Sequence, residues 1–332
     1  MAKLRLIRVA YHQAPELEKF NDHTIFQTIQ WLQFVARTQH AEPVIAIIKD
    51  GHHTVGRFTG LIVRRYPWRI LGSPIPGWTT SYMGFNLEPS VSRVEALQAL
   101  EDFAFRDLHC VHFEVMDRQL SIEEVQTAQY RYSIYPGFEI NLIKSEDELF
   151  RGLTPACRRC IRKAEKTGVR IEAVQDLSFV DDYYAQLQDV FAKQKLVPTY
   201  RKERVRTLIE YLLPTERLLL VRARNSEGTA IATGIFPAMN DTMYFWGGAS
   251  WRQHQSLRPN EMIQWFAMCY WKQRGITKYD MSGNGEYKRK YGGCEIAIPA
   301  VRKSKHRIFE HLRNGSRSVF AVKQRLLGFH RS

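Results

Sequence analysis

The sequence contains no stretch approaching the ~18 consecutive apolar residues that a membrane-spanning helix needs. Its opening segment, MAKLRLIRVAYHQAPELEKF, holds neither an apolar secretion core nor a small-residue cleavage site. A cytoplasmic protein is expected. Cysteine is sparse, with five in the chain. Cys157 and Cys160 form CRRC, but Cys110, Cys269 and Cys294 stand alone, so the second ligand pair of a structural zinc site is missing. The flanking arginines could depress a thiol pKa, yet a spacing of three also describes one face of a short helix. No metal is expected. HCVH (109–112) and the pair His52 and His53 read as structural histidines. A G-x-S-x-G nucleophile elbow is absent, no Cys-His arrangement reads as a catalytic pair, and the aromatic RRM signature and a KH loop are absent too.

What the sequence does have is apolar mass and localised charge. At 332 residues and 44% hydrophobic content it can bury about two cores. Its formal net charge of +14 is concentrated in two places. Residues 151–170 carry seven Lys or Arg against Glu165, and residues 302–332 carry nine against Glu310. Charge gathered this way points to an anionic partner: a phosphate-bearing donor or acceptor, nucleic acid, or a membrane surface.

The element pattern repeats. In the second half, 216–224, 229–239 and 241–250 read as strands. Residues 259–275 then read as a helix between Pro259 and Gly275, and ITKYDMSG closes the unit as a strand. In the first half, 43–49, 54–65 and 79–85 read as strands, 94–108 as an amphipathic helix and 110–117 as the closing strand. A helical stretch precedes each set, over 25–38 and 179–194, and TGL (59–61) and TGI (233–235) fall at matching places.

This order is similar to the GNAT acyltransferase fold in tandem, as in the Fem peptidyltransferases and related Fem-like proteins. LFRGLTPACRRCIRKAEKTGVRIE (149–172) resembles the basic segment linking their halves. YDMSG followed by YKRKYGG (287–293) resembles their YDF.G and FK..FGG elements, with tyrosine at both aromatic positions of the second. The likeness is good over 145–295 and looser before it, chiefly in GSPIPGWTTSYMGF. It implies an α/β (α+β) chain of two GNAT-like lobes, each a mixed, mainly antiparallel sheet flanked by helices. The expected division is 1–145, 146–301 and a basic helical tail, 302–332, resting on the first lobe or on an anionic bilayer.

The resemblance also implies the chemistry: an amine attacks an activated acyl carbonyl, and the site must orient it, take its proton and stabilise the oxyanion. Lys288 matches the motif lysine that meets the transferring carbonyl or a phosphate. Arg289 and Lys290 beside it read as solvated. Asp280, ending the closing strand, either accepts the amine's proton or caps the turn. Arg258 and Asn260 open the helix whose N-terminus would meet donor phosphates, and Trp246 and Gly247 line the donor side. Arg158, Arg162, Tyr82 and Tyr291 are the candidate acceptor contacts. The glycine-rich run of acetyl-coenzyme A users is missing, and Pro259 removes one donor N–H, which favours a carrier-borne or tRNA-borne acyl group. The donor is therefore acyl-CoA, acyl carrier protein or aminoacyl-tRNA, and the acceptor an amine of a cell-envelope or polysaccharide precursor. The alternatives are an aminoacyl-tRNA-dependent Fem-type peptidyltransferase, or a non-catalytic binder of nucleic acid or anionic membrane.

Overall fold

A computed structural model describes residues 4–283, 285–306, 308 and 309. Contacts divide them into two compact units: residues 4–136 with 297–309, and residues 137–296.

The first unit opens with strand β1 (Arg5–Arg8) and helix α1 (Ile29–Gln39). Thr28 caps α1 by accepting from the Trp31 N–H, and His40 ends it in the left-handed conformation. Strands β2 (Glu42–Asp50), β3 (His53–Arg65), β4 (Trp68–Ser73) and β5 (Phe85–Leu87) follow, then α2 (Arg93–Asp102), β6 (His112–Met116) and α3 (Ile122–Thr127). Strand β7 (Arg131–Asn141) leads into the second unit. The sheet order is β1-β2-β3-β4-β6, with β5 also on β3. All these pairs are antiparallel except β4 with β6. Of the segment 79–85 expected as a strand, only Phe85 is one; Asp117 fixes the residues around it, as described below. The core gathers alternate residues of β2 and β3, such as Val44, Ala46, Ile48, Phe58 and Ile62, under Leu97, Leu100 and Phe103. Each fully buried Val, Leu, Ile or Phe among them contributes roughly 1.5–3 kcal/mol.

The second unit holds α4 (Glu146–Gly152), α5 (Pro155–Lys166), β8 (Arg170–Val174), α6 (Ser178–Ala192) and α7 (Lys202–Leu212). Next come β9 (Leu218–Arg224), β10 (Ala230–Met239), β11 (Thr242–Tyr244) and β12 (Gly247–Ser250). Helix α8 (Pro259–Lys272) and β13 (Lys278–Asp280) complete the repeat, and β14 (Cys294–Ser304) leads back to the first unit and pairs with β6 there. The sheet order is β7-β13-β11-β10-β9-β8, with β12 also on β10. Only β11 and β13 run parallel among the pairs given register. Phe236, Ile263, Ala267, Met268 and Tyr279 form its core.

The two units therefore share one wiring: a long strand bears two short ones, and the first of these is parallel to the closing strand. The matched glycines have a packing reason. A Cβ on Gly60 would meet the Gly72 carbonyl at 3.0 Å, and one on Gly234 would meet Ile263 Cγ2 at 2.9 Å. Arg302, Lys303 and Ser304, read as the start of a helical tail, lie in β14. The rest of that tail, from residue 310, lies outside the described residues.

Candidate active site in the second unit

Residues 241–250, expected as one strand, are broken into β11 and β12. Ala238 pairs with Met243 while Ile235 pairs with Gly247, so one extra residue is inserted at the break. Pro237, which has no N–H to give a ladder, lies opposite it. Past this bulge β12 stays with β10, and β13 follows only β11, ending at Asp280. The last bond across the fork runs from the Phe245 N–H to the Asp280 carbonyl, at 3.0 Å.

Asp280 is 1% exposed, and its Oδ1 accepts from the Ser282 N–H at 2.6 Å, so the expected turn cap is present. The chain then makes a 3-10 turn over Glu286–Tyr291, ended by Gly292 at φ +79°. This turn carries Lys288 inward. The residue is 5% exposed, and its amine donates to the carbonyls of Met281 at 2.9 Å, Gly283 at 3.1 Å and Ser282. Burial pulls it down to about 8, and the charge of Asp280 resists. Lys290 is not solvated as expected. It pairs with the buried Glu261 of α8 at 2.7 Å and faces the Tyr291 ring. Arg289 is exposed but pairs with Glu286 and Glu295.

Beside β12 lies a cluster that sequence reasoning missed. The hydroxyls of Tyr183 (α6) and Tyr200 are 2.7 Å apart, Tyr200 packs on Trp246 at 5.5 Å, and Arg204 (α7) lies over the Tyr200 ring. Burial raises both tyrosines and brings Arg204 down to about 10. Gly247 makes room for them, because a Cβ there would sit 2.4 Å from the Tyr183 hydroxyl. Tyr183 occupies an ordinary helical position and Tyr200 a loop, so only Gly247 and Trp246 gave a sequence signal.

The other candidates are placed as follows. Arg258 is exposed in the left-handed conformation before Pro259, and Asn260 donates to the Ser250 hydroxyl at 3.1 Å. That helix end already carries Glu261, which Lys290 neutralises. Arg158 spends its guanidinium on the carbonyls of Arg151 and Leu153, closing α4 onto α5. Arg162 is exposed over the Phe150 ring. Tyr291 is buried in the core, and Tyr82 is buried in the first unit near Phe26. Burial pushes the Cys157 thiol up to about 12, which opposes thiolate chemistry at CRRC. Asp280, Lys288, Trp246 and Gly247 are thus the candidates brought to the fork.

Residues 155–289 match the family model described as Acetyltransferase (GNAT) domain. No curated protein matches. Among solved structures the chain is similar to FemX, at 13% identity and TM-score 0.70 over 89% of this chain and 96% of that one. It is also similar to L-PGS from Bacillus licheniformis, at 10% identity and TM-score 0.53 over 94% of each chain. A tandem GNAT protein from the clavulanic acid biosynthesis pathway aligns at 10% identity and TM-score 0.54, over 91% of this chain and 99% of that one. The second unit therefore contains a segment that matches a GNAT domain model, and the chain has a tandem GNAT fold that resembles the Fem-type transferases.

Proposed function

We propose that this protein is an N-acyltransferase moving an acyl or aminoacyl group from an activated carrier to an amine of a cell-envelope or polysaccharide precursor. The carrier is acyl-CoA, acyl carrier protein or aminoacyl-tRNA. The observation that carries this reading is the fork beyond β11, where the buried Lys288 amine feels the charge of Asp280. The amine nitrogen attacks the acyl carbon, a C–N bond forms, the bond to the carrier breaks, and the nitrogen's proton leaves. Lys288 supplies positive charge where the carbonyl oxygen becomes negative. Its three N–H groups serve the turn at 281–283, so an incoming oxygen takes over one of those bonds. Asp280 holds the amine or takes its proton, Trp246 and Gly247 border the donor, and Arg258 with Asn260 meets its phosphate.

An aminoacyl-tRNA donor is favoured by one observation: Arg159, Arg162, Lys163 and Lys166 are all exposed along α5, as a phosphate backbone would need. Product mass spectrometry, with each donor class offered against amino-sugar and peptidyl amine acceptors, tests the reading. The expected result is a mass gain on the amine with one donor, lost in Lys288→Met. Transfer that survives in Lys288→Met would remove the fork from the chemistry.

A further inference from the structure

The hairpin between β3 and β4 carries a combination the transfer reaction does not use. Tyr66 at its tip is 99% exposed and Trp68 is 39% exposed, with Ile308 at 63% and Phe309 packing on the Trp68 ring at 5.6 Å. Large apolar and amphipathic rings left in water at a hairpin tip need a reason. The surrounding charge is equally one-sided. RLIR (5–8) and RRYPWR (64–69) hold five arginines and no acid. Arg8, Arg64 and Arg69 all turn to one carboxylate, Glu42, at 2.9, 2.9 and 3.7 Å, and together they hold it below the usual range. One negative charge cannot neutralise three. Behind them a cavity of about 240 Å³ is lined by Arg5, Arg8, Arg69 and His109, with Asp107 the acid on its wall. Among the described residues the buried Arg69 Nε has no oxygen or nitrogen hydrogen-bond partner, and the Arg69 guanidinium interacts with the Cys110 thiol. An unsatisfied buried guanidinium N–H is costly unless an acceptor reaches it.

From these features we propose that this face of the first unit docks on an anionic bilayer. The cavity receives a lipid phosphate on Arg5, Arg8 and Arg69, while Tyr66 and Trp68 settle at the headgroup level. Aromatic rings with a polar edge favour that depth, and arginines reach the phosphates from beside them. Register supports the division of labour. Arg64 pairs with Arg69 and Arg65 with Trp68, so cations flank the tip on both faces of the hairpin. The proposal goes beyond the transfer reaction and does not rest on it.

The test uses the full chain and needs no turnover. Cosedimentation with phosphatidylcholine vesicles containing graded phosphatidylglycerol should show binding that rises with lipid charge and falls with salt. Removing three arginines in Arg64→Gln/Arg65→Gln/Arg69→Gln should weaken partitioning on the order of 100-fold. Tyr66→Ala/Trp68→Ala should weaken it by less and leave the salt dependence intact. Hydrogen exchange on vesicles should show protection of residues 62–71. Binding unchanged in both variants, protection confined to residues beyond 309, equal binding to neutral vesicles, or full competition by free glycerol phosphate would each overturn the proposal. A normal thermal melt of both variants shows that any loss is not unfolding.

Discussion

The closing strands of the two units end in aspartates that look alike and are used differently. Asp117 follows β6 as Asp280 ends β13, and each strand lies parallel to the first short strand of its unit. In the first unit the position is sealed. Asp117 accepts from the Phe85 and Gln119 N–H groups, both at 2.9 Å, and from Arg93 at 2.7 Å; Arg93 also pairs with Asp22. A long loop, residues 74–84, separates β4 from β5 there, and this ion network holds β5 where the loop ends. Burial pushes the Asp117 carboxyl up and Arg93 opposes it. In the second unit only Phe245 and Trp246 separate the short strands, and the cation is Lys288, whose amine is near its titration point. A permanently charged arginine makes one fork a cross-link, whereas under the proposed function a titratable lysine serves the transfer at the other.

The comparison can be broken most forcefully at Arg93. Arg93→Met leaves Asp22 and Asp117 buried without their cation, with side chains 11% and 3% exposed. A stability loss of ~3–5 kcal/mol is expected in denaturant unfolding, with transfer by the remaining folded protein unchanged. An unaltered midpoint would refute the cross-link. Next in size is Lys288→Met, which should raise the transfer barrier by ~2.7–4 kcal/mol, read from kcat. Its melt should also fall, because three turn carbonyls lose their donor. Gly247→Ala should cost ~1–3 kcal/mol through overpacking on the Tyr183 hydroxyl. Adding Tyr183→Phe should return part of that, and a double-mutant cycle measures how much.

A further effect is one of pH. The Lys288 amine titrates at about 8 when folded against 10.5 when unfolded. Between those values the unfolded chain binds the extra proton, so stability rises with pH across that window, relative to Lys288→Met. Below about 8 the amine is charged in both states but buried only in the folded one, so the cost is fully felt. Transfer that depends on the charge should fall to half at about pH 8, the folded value, and continue to decline above it. Lys288→Arg, charged throughout, should flatten both curves, and matched unfolding and rate profiles check this.

Much of the fold was legible because amphipathic period and turn residues act locally. The order of helix, strands, helix and closing strand was read twice, and TGL and TGI marked the matching close approaches. The short strands were not legible. The sequence around Tyr244–Trp246 has uniform strand character, and the break arises from β10 and its Pro237 across the sheet. At the site, YKRKYGG drew attention to Lys288, but Lys290 read as solvated because its partner Glu261 is 29 residues away. Tyr183 and Tyr200 carried no signal because their meeting depends on how α6 and the following loop pack.

By itself the sequence determined which segments bury, where the turns fall, that the pattern occurs twice, and where the positive charge gathers. All of these follow from the spacing and chemistry of neighbouring residues. Only the tertiary structure decided which cation faces which anion, and therefore which fork holds an arginine between two carboxylates and which buries a lysine amine against three carbonyls. Burial and partnership are set by residues distant in the chain, and those two quantities move an amine to about 8 or pin a guanidinium between two carboxylates.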